Sequence, residues 1–318
     1  MRQTTLAEGS FVKYKKPTRK EKFLAQMDEI IPWKALSKVI EPHYPTPQGS
    51  GRRPIGIERM LRIHFMQHWF NLSDPGMEEA LYDIAALREF AHIDLGREPA
   101  PDETTICKFR HILEENALGE RLFRLVNAYL SENGLFVSKG TIVDATLIEA
   151  PTSTKNEKKG RDPDMHQTKK GNQWYFGMKT HIGVDSQSKL IHSVAVTPAN
   201  THDSQVLEDL LHGEETKVWG DSAYSGQKEV LKEHAPDAKD YTQKKGSRNR
   251  KLTDEESGKN RTKSKVRSKV EHTFHVMKRQ FGYRKVRYRG LDKNANWVVI
   301  QYALINLVMS KNRLPGLP

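Results

Sequence analysis

The hydrophobic pattern of this chain changes character at Gly140, and that change limits the fold more than any other feature. Before it, apolar residues recur at helical spacing in K-E-K-F-L-A-Q-M-D-E-I-I, I-E-R-M-L-R-I-H-F-M-Q-H-W-F and M-E-E-A-L-Y-D-I-A-A-L-R-E-F. Proline-rich breaks at 42–54 and 99–101 separate these runs. A further helix is expected over I-C-K-F-R-H-I-L-E-E-N-A-L-G-E-R-L-F-R-L-V-N-A-Y-L, capped by Asp102 or Thr104. After Gly140 comes T-I-V-D-A-T-L-I-E-A, a β-branched run that reads as a strand. The expected organisation is an all-helical domain over 1–135 followed by an α/β domain over 136–318.

Within the second half, W-Y-F-G-M-K-T-H-I-G-V-D and K-L-I-H-S-V-A-V-T-P-A-N join the first strand in an antiparallel ladder, after a Lys/Gly/Asp-rich loop at 152–172. Asp203 is placed to cap a helix over S-Q-V-L-E-D-L-L-H-G, and K-V-W-G-D-S-A-Y-S-G supplies the next strand. A short helix, a weak strand near 239–241, a basic loop over 241–269 and a helix from about Lys263 to Gln280 follow. The order βββαβα, with the last helix crossing back over the sheet, is that of an RNase H-like mixed sheet flanked by helices. A packing helix is expected at the C-terminus. Its apolar run, Trp297 to Met309, contains Gln301 and Asn306 and is too short to span a bilayer.

The chain holds 52 Lys+Arg against 40 Asp+Glu, and its 318 residues do not share that excess evenly. Tyr241–Gly290 carries 17 of the cations and 4 of the acids, so the remainder is neutral to within one charge. Such concentration points to a polyanion, and the interleaved Phe281, Tyr283 and Tyr288 suit stacking on unpaired bases. Smaller basic segments lie at 155–170 and within the first twenty residues. The single cysteine, Cys107, excludes an intramolecular disulfide and a cysteine-based zinc finger, and no signal peptide is visible, so a cytoplasmic protein is expected. No Walker-type phosphate loop is present, so ATP is not implied.

Phosphodiester hydrolysis without a covalent intermediate needs two hard cations held by carboxylates. Asp144 sits inside the apolar strand T-I-V-D-A-T-L-I, where an unpaired carboxylate is expensive. Asp221 repeats the pattern at the end of V-W-G-D-S-A-Y, beside Gly220, which permits close backbone approach. Glu271 falls on the helix after the basic loop. At about 100° per residue, Arg267, Glu271 and Lys278 lie within an arc of about 40°, beside the apolar stripe Val266, Val270, Phe274, Met277 and Phe281. Asp185, before a polar turn, reads as a turn residue, and Asp203 as a helix cap. His181 and His202 have no second histidine or cysteine at ligand spacing to support zinc.

Six segments, in order, resemble the DDE transposases of bacterial insertion sequences, most closely the large family numbered five. They are P-D-E-T-T-I-C-K-F-R-H, T-I-V-D-A-T, G-M-K-T-H-I-G-V-D, T-P-A-N-T-H-D, W-G-D-S-A-Y and R-S-K-V-E-H-T-F-H-V-M-K. The last is similar to the family's Y-x₂-R-x₃-E-x₆-K signature, with Ser264 at the tyrosine position. The resemblance implies an RNase H-like catalytic domain in which Asp144, Asp221 and Glu271 are catalytic and bind two Mg²⁺, or Mn²⁺. It implies hydrolysis that frees the 3′-OH ends of the element, then direct attack of those hydroxyls on target DNA. Arg267 and Lys278 would hold the end phosphate, with Lys179, Lys244, Lys245, Arg284 and Arg287 as further candidate DNA contacts. The helical domain would recognise terminal inverted repeats, and a homodimer on double-stranded DNA, associated with the bacterial nucleoid and not with membrane, is expected. Alternatives are an RNase H-like nuclease that cuts without joining and an inactive, transposase-derived DNA-binding regulator.

Overall fold

A computed structural model describes residues 16–46, 53–136, 139–157, 159–247 and 250–314. The basic residues ahead of Lys16, and Arg248 in the basic stretch, lie outside the described residues. The first half is helical as expected: α1 (Arg19–Ile30), α2 (Trp33–Ile40), α3 (Ile57–Phe70), α4 (Asp74–Asp83), α5 (Ala85–Phe90), α6 (Glu103–Glu115) and α7 (Leu118–Glu132). Asp102, not Thr104, caps α6, taking the Thr105 N–H at 2.7 Å.

Two helices expected to be continuous are each broken. The buried set of α6 ends at Leu113 and that of α7 begins at Leu118, one residue out of phase with a single helix. The slip is absorbed at Ala117, which takes the left-handed conformation at φ 47°. Ile84, in extended conformation, turns the chain between α4 and α5 so that Leu81 and Leu87 are both buried.

The second half carries β1 (Thr141–Glu149), β2 (His166–Lys170), β3 (Gln173–Asp185), β4 (Ile191–Pro198), β5 (Lys217–Trp219) and β6 (Lys239–Asp240). β4, β3 and β1 form the antiparallel ladder, and β1, β5 and β6 run parallel, which is the RNase H-like strand arrangement. β2 was not legible as a strand: H-Q-T-K-K is polar on both faces, and its one signal is the two-residue Gly-Asn turn into β3. Between β4 and β5 the chain makes two 3₁₀ turns, Asp203–Val206 and Glu208–Leu210, in place of the expected helix. The helices that follow are α8 (Lys228–His234), α9 (Asp254–Arg267), α10 (Glu271–His275) and α11 (Leu291–Ser310). Much of the expected basic loop over 241–269 is therefore helix. Thr253 and Glu256 close a capping box that starts α9 nine residues before Lys263.

β1 divides two cores by strand alternation. Ile142 and Ile148 join the large cluster that runs without interruption from Leu24 and Met66 to Leu304. Val143 points the other way, into a small cluster with Leu207, Leu210, Val218, Tyr224 and Leu231. α11, buried over most of its length, lies between the sheet and the helices of the first half. The boundary near residue 136 is thus a change of secondary structure, while the packing runs across it. Among the described residues no helix is long and apolar enough to cross a membrane.

Candidate active site

β5 pairs only with Thr141 and Ile142 of β1, so from Asp144 onward the strand leaves the ladder on that side. A cleft of about 470 Å³ lies along this stretch, lined by Asp144, Asp203, Asp221, Arg267, Glu271 and Lys179. Asp144 is 13% exposed; one carboxylate oxygen takes the Ala145 N–H at 2.9 Å and the other takes Arg267 Nη1 at 2.6 Å. Burial pushes its carboxyl up to about 6 against the pull of Arg267 and the Ala145 N–H, with Asp221 and Asp203 adding to the rise. Asp221 follows β5 directly and caps the 3₁₀ turn Ser222–Tyr224, accepting the Ala223 N–H at 2.8 Å. Gly220 beside it is tightly packed: a Cβ there would meet Val143 at 3.0 Å and Tyr224 at 3.1 Å.

Glu271 opens α10 at the rim. Its side chain is 66% exposed and stands 3.8 Å from Arg267 Nη2. Among the described residues no three histidine, cysteine or carboxylate side chains stand close enough together to enclose an ion. The donor set nonetheless fits hard divalent cations: oxygen ligands face one cleft, and the nearly buried Asp144 demands a positive partner, a demand that the guanidinium of Arg267 meets in this structure.

Asp203 departs from its expected role. The cap of its 3₁₀ turn is the imidazole of His202, which takes the Ser204 N–H. The Asp203 carboxylate instead pairs with Lys179 Nζ at 2.8 Å inside the cleft, and Lys179 also donates to the Thr201 carbonyl. The alternation of β3 turns Lys179 and His181 to one face. His181 is fully buried, bonded through Nε2 to Thr197 at 2.9 Å, and held neutral because burial lowers it to about 4. Asp185 serves its turn, accepting the Gln187 N–H at 2.8 Å.

The cations separate into groups. Lys278 does not lie on one uniform helix with Arg267 and Glu271, because a 3₁₀ turn (Ser268–Val270) and a π turn (Val276–Gln280) interrupt the segment. It donates to the Leu147 carbonyl at 2.7 Å, and burial, followed by Lys170, lowers its ammonium to about 8. Lys244 and Lys245 line a separate surface cleft of about 270 Å³ with Arg250 and Lys251, and Lys244 pairs with Glu256 at 3.1 Å. Arg284 is exposed. Arg287 turns inward: it donates to Asn71 of the first half at 2.5 Å and lies over the Trp297 ring.

The sheet is RNase H-like in its strand arrangement, and Asp144, Asp221 and Glu271 line one cleft beside it. Residues 136–307 match the transposase DDE domain family and residues 12–112 match the transposase domain described as DUF772, so the chain belongs to the DDE transposases. A weak likeness also exists to the cryo-EM structure of the piggyBac transposase synaptic complex with hairpin DNA: 9% identity and a TM-score of 0.46, covering 90% of this chain and 72% of that one.

Proposed function

We propose that this transposase binds the terminal inverted repeats of an insertion sequence, cleaves at their 3′ ends and joins those ends to target DNA in a single site. The observation that carries this reading is the cleft at the end of β5, where Asp144 and Asp221 face the Arg267–Glu271 edge of the crossing helix. Two divalent cations, Mg²⁺ with Mn²⁺ as substitute, would be held by Asp144, Asp221 and Glu271 and would supply the Lewis acidity that ionises the attacking oxygen and offsets charge on the phosphate.

The chain's own residues do the rest. Arg267, at the mouth of the cleft, passes from Asp144 to a phosphate oxygen as DNA enters, a charge-assisted bond exchanged for another. Lys278 steadies the strand beyond the cut. Water attacks phosphorus, and the 3′ oxygen of the element departs with a proton. That hydroxyl then attacks a target phosphorus and displaces the target's own 3′ oxygen, so one phosphodiester replaces another and no high-energy cofactor is consumed. Two ends must be held together, which calls for two copies of the chain on double-stranded DNA, at the nucleoid.

The test is the purified protein with Mg²⁺, a labelled duplex carrying the terminal inverted repeat that flanks this coding sequence, and a plasmid target. Joined products are expected from the wild type, and Asp144→Asn should bind the end with unchanged affinity while losing cleavage. Cleavage without joining would convert the assignment to a nuclease; normal cleavage by Asp144→Asn would remove Asp144 from the site.

A further inference from the structure

The catalytic cleft holds one more carboxylate besides Asp144, Asp221 and Glu271. Asp203 enters it from the 3₁₀ turn after β4, and its side chain is 20% exposed against 66% for Glu271. Its charge, together with that of Asp221, bears on Asp144 and helps to push that carboxyl up. One Asp203 oxygen is held by Lys179 Nζ at 2.8 Å, and Lys179 is fixed in turn by the Thr201 carbonyl at 2.8 Å. Carboxylates gathered in one partly buried cleft repel each other, and a fold keeps them together only with positive charge among them. Arg267 supplies that charge to Asp144, and Lys179 supplies it to Asp203.

Two buried polar groups beside Asp203 have no hydrogen-bond partner among the described residues. The first is the Tyr224 hydroxyl. Tyr224 is fully buried in the small core with Val143 and Leu207. Its turn, capped by Asp221, packs on the turn that Asp203 opens. Burial pushes its phenol well above the usual range, and the charges of Asp203, Asp144 and Asp221 add to that rise in this order. The second is Nδ1 of the fully buried His181, 3.9 Å from the Asp203 oxygen that Lys179 holds. Buried donors and acceptors are ordinarily paired. One orphan can be an accident of packing; two around a single carboxylate mark a position built for more than the ion pair with Lys179.

We propose that Asp203 is a further cation-binding carboxylate of the catalytic cleft and that Tyr224 positions it, its hydroxyl donating to the Asp203 oxygen that Lys179 leaves free. Two divalent cations bring four positive charges, of which Asp144, Asp221 and Glu271 balance three; Asp203 balances the last. Lys179 then plays for Asp203 the part that Arg267 plays for Asp144, an internal cation that the metal displaces. A donor behind a metal-binding carboxylate fixes its orientation and raises affinity. This inference rests on the metal-dependent transposase reading of the cleft and adds to it one ligand and the residue that sets it.

The experiment is calorimetric titration of the DNA-free full chain with Mn²⁺ at pH 8, on wild type, Asp144→Asn, Asp203→Asn, Tyr224→Phe and Lys179→Gln. Asp203→Asn and Tyr224→Phe should each bind Mn²⁺ at least about tenfold more weakly. Lys179→Gln should bind it more tightly, and it and Tyr224→Phe decide the matter even where Asp203→Asn fails to fold. Melting temperatures separate this from a structural role. Tyr224→Phe removes a buried hydroxyl that has no partner, so it should melt no lower than wild type while losing affinity. In end cleavage, the Mg²⁺ concentration giving half the maximal rate should rise for Tyr224→Phe, with the rate largely restored at high Mg²⁺. Wild-type Mn²⁺ affinity in Asp203→Asn and Tyr224→Phe, beside a loss in Asp144→Asn, would overturn the proposal and leave the triad standing. Wild-type affinity in Asp144→Asn as well would remove the cation site itself, and this inference with it.

Discussion

Burial holds Asp144 at about 6, and the sign of that shift dictates how the cation-free protein responds to pH. The folded pKa lies above the ordinary carboxylate value, so between about pH 4 and 6 the folded state keeps a proton that the unfolded state has lost. Stability therefore falls as pH rises through that window, by roughly 3 kcal/mol at most for a shift of this size. Asp144→Asn keeps the shape without the charge. Its melting temperature at pH 8, without divalent ions, should be no lower than that of the wild type, and its stability between pH 4 and 6 should be flatter. A lower melting temperature would mean that the Arg267 pair outweighs the cost of burial. The same ion pair makes Arg267 a competitor for any cation that Asp144 binds. In calorimetric titrations at pH 8, the DNA-free Arg267→Gln protein should bind Mn²⁺ more tightly than wild type while holding the end duplex more weakly. Unchanged Mn²⁺ affinity would rule the competition out. Asp144 and Asp221 were legible because apolar runs surround them. The pairing of Asp203 with Lys179 was not, since it depends on a register between β3 and the turn after β4 that no local pattern encodes.

The element that crosses the sheet is where local pattern misleads most. Its apolar stripe was readable, and its start was available in the Thr253–Glu256 capping box, which a reading centred on the basic composition passes over. What sequence periodicity does not carry is the change of helical pitch on either side of α10. A π turn widens the helix at a point where tertiary contact, here the bond from Lys278 to the Leu147 carbonyl, outweighs the regular ladder. That placement gives Lys278 an ammonium lowered to about 8, so its charge fades as pH rises through that value. End binding by the wild type should weaken between pH 7 and 9, by up to about tenfold if Lys278 carries a full phosphate contact. Lys278→Arg should remove most of that dependence, because a guanidinium stays charged. Lys278→Ala should lower the slope of log affinity against log salt by about one. Fluorescence anisotropy over the two pH values and a salt series reads all three, and an unchanged slope would leave Lys278 a packing residue of β1. β2 shows the opposite case: a strand invisible to apolar pattern because neither of its faces is buried, fixed instead by a two-residue turn.

At the scale of the whole molecule, the change of secondary structure near residue 136 is not a division of the core. α11 has no free face to offer: the sheet takes one side, and α6, α7 and α1 take the other. Its polar residues act as clasps across the boundary. Asn306, fully buried, accepts the Ile191 N–H at 2.9 Å, donates to the Ile191 carbonyl at 2.7 Å, and donates to Asn127 of α7 at 2.9 Å. Asn296 holds the Gly119 N–H at the start of α7, and Trp297 stacks on His68 of α3 at 3.7 Å. Asn306, which argued from sequence only against a membrane span, is thus one of the residues that join sheet to helices. If the halves share one core, they share one unfolding transition. Calorimetry on the full chain should give a single endotherm, and Asn306→Leu should lower it whole, not split it, since the Ile191 N–H left without a partner costs roughly 1–3 kcal/mol, while the Ile191 carbonyl keeps its bond from Asn127 at 3.1 Å. A fragment of residues 136–318 should lack a cooperative melt and associate on gel filtration, because removing the first half lays bare the apolar side of α11. A monomeric fragment with a sharp transition would show that the sheet and α11 suffice, and would make residue 136 a boundary between folding units.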